Sequence, residues 1–123
     1  MRGYRICREE NNSYFEFIPN NNPNQPIGRS KMFSSREACM RGLKDFRDMV
    51  IQNHIDSVES PYVKMTVRED GNRAQVAYIK DDDVIYRSRE YQDSSVEANC
   101  RKTVASIFKH IDDYTEIEVK EGT

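Results

Sequence analysis

Tryptophan is absent from these 123 residues, and cysteine, proline and glycine are sparse at three, four and five copies. Cys7, Cys39 and Cys100 are odd in number and far apart, with no C-x-x-C pair, which argues for free thiols rather than a disulfide framework. No long apolar run occurs, so no membrane-spanning helix and no membrane partner are expected. The opening MRGYRICREE is charged almost at once and lacks the apolar stretch of a secretory leader. With the unpaired cysteines, this makes a reducing cytoplasm the expected setting. An excess of charge is lacking too: 19 basic against 21 acidic residues give a formal net charge of −2. A dedicated nucleic-acid binder would show a marked basic excess, so only local basic clusters stay open.

Apolar residues make up 37% of the chain and charged residues 33%. That is polar for a globular domain, but regular apolar alternation argues against disorder. The expectation is a single compact domain, residues 1–123, with a thin core of one sheet under one helical layer.

The chain repeats itself. IGRSKMF at Ile27–Phe33 returns as IYRSREY at Ile85–Tyr91, an offset of 58 residues (27 to 85). Upstream, YRIC at Tyr4–Cys7 matches YVKMTV at Tyr62–Val67, where Val63, Met65 and Val67 alternate with polar residues as in a half-buried strand. Each is followed by a turn (REENNS, then REDGN with its Asp70-Gly71) and by second strands, YFEFI at Tyr14–Ile18 and RAQVAYI at Arg73–Ile79. Pro19, Pro23 and Pro26 then mark a loop in the first copy, where the second has a short KDDD turn. Helix starts are also written twice, SSRE at Ser34–Glu37 and SSVE at Ser94–Glu97, both reading as capping boxes. Cys39, Leu43, Phe46 and Val50 form one apolar helical stripe, and Val96, Cys100, Val104, Ile107 and Ile111 form the other. Short extended pieces are expected after each helix, at Ile55–Val58 and in YTEIEVK at Tyr114–Lys120. The fold class expected is therefore α+β. Two tandem β-β-β-α-β repeats, about 1–60 and 61–123, form a single antiparallel sheet with helices packed on one face. Pseudo-two-fold symmetry would satisfy internally what a homodimer supplies, so a monomer is expected.

IGRSKMF and IYRSREY, each leading into a serine-started helix, resemble the YegP-like family of small proteins. Gly42-Leu43 also looks like the small-plus-aliphatic step of that family's helix, for which Cys100-Arg101 or Thr103-Val104 would serve in the second copy. The resemblance implies one antiparallel sheet with C-terminal strands exchanged between halves. It implies no activity and brings no catalytic residues.

No nucleophile–base constellation is visible. Cys39 and Cys100 fall on core stripes and Cys7 in the first strand, so structural thiols are expected. His54 and His110, each before Ile-Asp, sit at helix ends, where histidine meets the negative end of the dipole. Only His54/Asp56 and His110/Asp112 offer metal-ligand chemistry, and no metal or other cofactor is expected. Asp81–Asp83 reads as a solvated turn.

The candidate binding residues are Arg29, Lys31, Arg87 and Arg89, which share one strand face in each copy. Four cations related by a two-fold would form one patch for phosphate or an acidic partner. Tyr14, Phe15, Phe17 and Tyr78 lie on adjacent strands, where exposed rings would stack bases. Against both, edge strands carry Arg and Lys to block aggregation, and Phe15 and Phe17 suit a core. The expected function is a non-enzymatic interaction module with a protein partner. A weak nucleic-acid or phosphate binder is the alternative, and an enzyme comes last.

Overall fold

Alternation favours one buried side for each strand, and the computed structural model, which describes residues 2–19, 24–92 and 95–117, follows it most clearly at Gly28–Ser30 and Ala74–Lys80. The elements run β1 (Gly3–Glu9), β2 (Asn12–Ile18), β3 (Gly28–Ser30), α1 (Arg36–Gln52), β4 (Val63–Val67), β5 (Ala74–Lys80), β6 (Asp83–Ser88), α2 (Val96–His110) and β7 (Thr115–Glu116). The strands form one seven-stranded sheet in the order β4-β5-β6-β3-β2-β1-β7. Both helices pack on one face, α1 over β2 and α2 over β4 and β5. The fold is α+β. No helix among the described residues is long and apolar enough to cross a membrane.

The two apolar stripes are buried as read, joined by Met49 and Thr103. They close over Phe15, Phe17, Val76, Tyr78 and Tyr86 from the sheet. Rings dominate this core: Phe46 lies 5.2 Å from Tyr86 and 5.0 Å from Tyr78, in stacked and edge-on arrangements respectively.

Turn chemistry is local and legible. Gly71 takes φ +71° in the β4–β5 turn and donates its amide to the Arg68 carbonyl at 2.8 Å. Between β5 and β6, Asp81 and Asp82 both adopt positive φ, at 51° and 64°. Two consecutive left-handed residues give the turn that matches strand twist in a two-residue hairpin.

Four expectations are corrected. The piece at Ile55–Val58 is not a strand. His54 turns left-handed (φ +49°), its amide donating to the Ile51 carbonyl and that of Ile55 to Val50 at 3.0 Å. That is a Schellman closure, with Ile55 buried against Val50, so the residues after α1 end a helix instead of pairing. Second, the sheet is mixed, because β7 runs parallel to β1 in the register Gly3↔Thr115 and Tyr4↔Glu116. Third, the cap of α1 is Ser35 and not Ser34: its hydroxyl accepts from the Ala38 amide at 3.1 Å, and the Ser34–Glu37 box does not form. Fourth, α2 follows Ser95, which makes no side-chain cap bond. Ser94 and residues 118–120 of the final expected strand lie outside the described residues, as do 20–23 of the Asn/Pro loop.

Equivalent bonds recur in the two halves. The Phe15 amide donates to Ser30 Oγ and the Val76 amide to Ser88 Oγ, both at 2.9 Å. Each serine hydroxyl then donates to the next residue's carbonyl, Lys31 or Arg89, at 2.8 Å. Beyond, Phe33 bridges back to Ser13, and Tyr91 to Ala74. Both rings lie on helices. Phe33 rests on Gly42, where an added Cβ would fall 2.3 Å from the ring, and Tyr91 hydrogen-bonds Thr103. The small helical position thus has a reason: it seats the aromatic that closes each repeated phrase.

Candidate functional site: a cationic cleft on the uncovered sheet face

Strand order changes the meaning of the basic residues. β3 and β6 are central, so blocking an edge does not explain Arg29, Lys31, Arg87 or Arg89. These strands pair antiparallel with Arg29 opposite Arg87, flanked by amide bonds from Lys31 to the Ile85 carbonyl at 3.1 Å and from Arg89 to Ile27 at 2.7 Å. Gly28, Ser30, Tyr86 and Ser88 are buried, and all four cations are exposed on the side away from the helices. The four line one open cleft of about 650 Å³, together with Glu16, Gln75, Pro26, Met32 and Val84.

Gly28 makes this geometry possible. A Cβ there would lie 2.1 Å from the Arg87 carbonyl oxygen and 2.6 Å from Ser88 Cα. Only glycine lets β3 approach β6 closely enough to set the two arginines side by side.

The charges are unevenly satisfied. Lys31 Nζ meets Asp83 at 2.5 Å. Among the described residues Arg29 meets Glu9 at a long 3.9 Å and lies over Tyr14, with 5.2 Å to the ring centroid. Arg89 donates to the neutral amide oxygen of Gln25 at 3.3 Å and covers Tyr91. The Arg87 guanidinium has no hydrogen-bond or carboxylate partner among the described residues. The carboxylate in the cleft lining, Glu16, is buried and tied to Arg5 on β1, with the Cys7 thiol donating to it at 3.4 Å. Two opposed arginines without a carboxylate between them repel, and the sheet tolerates this in its centre.

The remaining chemistry is quiet. Loss of solvation, then the Glu16 carboxylate, pushes the Cys7 thiol up to about 11, so it stays protonated at neutral pH. Burial does the same to Cys39. His54 pairs with Asp56 at 3.3 Å, while His110 pairs with Asp113 at 3.0 Å and not with Asp112. No cluster of three or more metal-ligating side chains occurs among the described residues. The ring platform is also corrected: Phe15, Phe17 and Tyr78 are buried beneath the helices, and Tyr14 lies under the Arg29 guanidinium. Of that set Tyr14 alone stands outside the core, half-buried on the cationic face.

Comparison with known proteins agrees on architecture. The chain is similar in fold to the UPF0339 protein SO3888 of Shewanella oneidensis, solved by solution NMR. The TM-score is 0.65 at 14% identity, covering 94% of this chain and 89% of the other. At that identity the likeness concerns the fold alone. No family model matches the chain. No curated protein matches it.

Sequence reasoning missed Glu16, Gln75, Met32 and Val84. A signal for Glu16 was present: it stands between Phe15 and Phe17 in an alternating strand, which puts it on the face opposite the core.

Proposed function

We propose that this chain is a non-enzymatic binding module whose uncovered sheet face takes an anionic ligand on Arg29, Lys31, Arg87 and Arg89. One observation carries the reading: Arg29 and Arg87 stand opposite each other on central strands, in a cleft whose cations outnumber its carboxylates. An anion held between two guanidiniums would relieve their repulsion and gain charge-assisted, bidentate bonds. We take the chain to be built of two tandem β-β-β-α-β repeats about a pseudo-two-fold through the Arg29–Arg87 pair. The matched serine bonds and the matched seats of Phe33 and Tyr91 support that reading. Membership of the YegP-like family is proposed with it, on the repeated phrase and the fold likeness. A single domain acting as a monomer in the cytoplasm fits the shared core and the free thiols.

The test is amide and guanidinium chemical-shift mapping on titration with pyrophosphate at low salt. Shifts centred on Arg29 and Arg87, lost in the Arg87→Ala/Arg89→Ala double variant and weakened by added salt, are expected. Shifts scattered over the surface, or none at low salt, would end the proposal. A mobility shift with single-stranded oligonucleotide serves as the competing arm, since Phe15, Phe17 and Tyr78 are buried and Tyr14 alone of the expected platform stands outside the core.

A further inference from the structure

Resting on the anion-binding reading, we propose that the ligand is an amphiphilic organic anion, its charged head between Arg29 and Arg87 and its apolar body over Met32 and Val84. The cleft is polarised along the strands. Toward one end Gln75, Ser88 and Arg89 line it and make it mostly polar, with Pro26 beside them. Toward the other end, one residue past the Lys31–Ile85 bond, Met32 and Val84 both line it. Met32 is 39% exposed, one of three large apolar side chains so exposed among the described residues.

Val84 is there because of a bulge. Strict alternation from Tyr86 would turn Val84 toward the helices, but the register breaks between Tyr78 and Ile79. Tyr78 pairs with Tyr86, and the next pair is Ile79 with Val84, which leaves Ile85 as the extra residue. Ile85 packs against the core, and Val84 emerges in the cleft. Bulges of this kind re-aim side chains, and this one delivers an apolar group to an otherwise cationic surface. Ile79, half-buried beside it, extends the apolar strip onto β5. The cleft volume, about 650 Å³, suits a small organic molecule and far exceeds a lone phosphate.

Calorimetric titration with inorganic phosphate, butyl phosphate and hexyl phosphate tests this. Affinity is expected to rise with chain length, hexyl phosphate binding about tenfold or more above inorganic phosphate, since each buried methylene adds appreciably. Met32→Ser/Val84→Ser should flatten that dependence and leave inorganic phosphate unchanged, whereas Arg87→Ala should weaken the whole series. Circular dichroism confirms that each variant is folded. Phosphate binding without chain-length dependence, or a dependence that survives Met32→Ser/Val84→Ser, overturns the inference and leaves the anion site standing. No binding by any of the three removes both. Saturable oligonucleotide binding with no alkyl effect overturns it in favour of nucleic acid.

Discussion

Gly28→Ala probes the seam on which the cleft depends. The new methyl carbon would start 2.1 Å from the Arg87 carbonyl oxygen, against 3.4 Å for ordinary contact, so roughly 1.3 Å of separation has to be found. The neighbour is backbone and cannot rotate away. β3 is three residues long, and its pairing with β6 is framed by the Arg89–Ile27 and Lys31–Ile85 bonds. Forcing the strands apart adds an overpacking cost of about 1–3 kcal/mol. Loosening the two framing bonds adds about 0.5–1.5 kcal/mol each. A total of about 2–6 kcal/mol lowers the melting temperature by roughly 8–24 °C for a chain of this size. Urea and thermal unfolding followed by circular dichroism measure it, with Gly71→Ala as the comparison. At Gly71 nothing lies within 4 Å of an added Cβ, so that variant pays only for its positive φ, about 1–2 kcal/mol. The variant should also lose anion binding, because the arginines part with the strands. If Gly28→Ala lies within about 0.5 kcal/mol of the parent, the seam does not work as described.

Two other outcomes are expected. Arg5→Ala removes the partner of buried Glu16 and should destabilise by about 2–4 kcal/mol, somewhat under the usual loss because Arg5 is partly solvated. Arg5→Ala/Glu16→Ala should recover part of that; equal stability of Arg5→Ala and parent in chemical denaturation would refute the ion pair's role. Stability should also fall with alkaline pH. Cys7 and Cys39 are raised from 9.0 to about 11 in the folded chain, so their contribution is complete below pH 9 and disappears as pH rises through about 11. Cys39→Ala in a pH series of denaturation midpoints should flatten part of that slope; an unchanged slope in both Cys39→Ala and Cys7→Ala would contradict the assignment.

The strands and helices were readable because their signals are local. Phe15 and Phe17 alternate with Glu16, and Leu43, Phe46 and Val50 recur at helical spacing. What escaped depended on non-local geometry. Residues 55–58 have strand-like apolar content, but the left-handed turn at His54 spends Ile55 on closing α1. The resemblance implied an exchanged C-terminal strand, but the parallel direction of β7 on β1, over a hundred residues away, is not written in the alternation of either strand. The four cations were legible as candidates because the phrase repeats; their place in the centre of the sheet, which removes the edge-guard explanation, was not. Val84 was invisible, since a bulge has no alternation to read.

The β1–β7 pairing also sets an order of assembly. β1 is made before β7, and its outer edge pairs with Thr115 and Glu116, 112 residues after Gly3 and Tyr4. At about 5–20 residues per second, a ribosome would leave that edge bare for roughly 6–22 s, a window in which β1 can recruit the wrong strand. β1 must wait for β7, made 112 residues later, before that edge is closed.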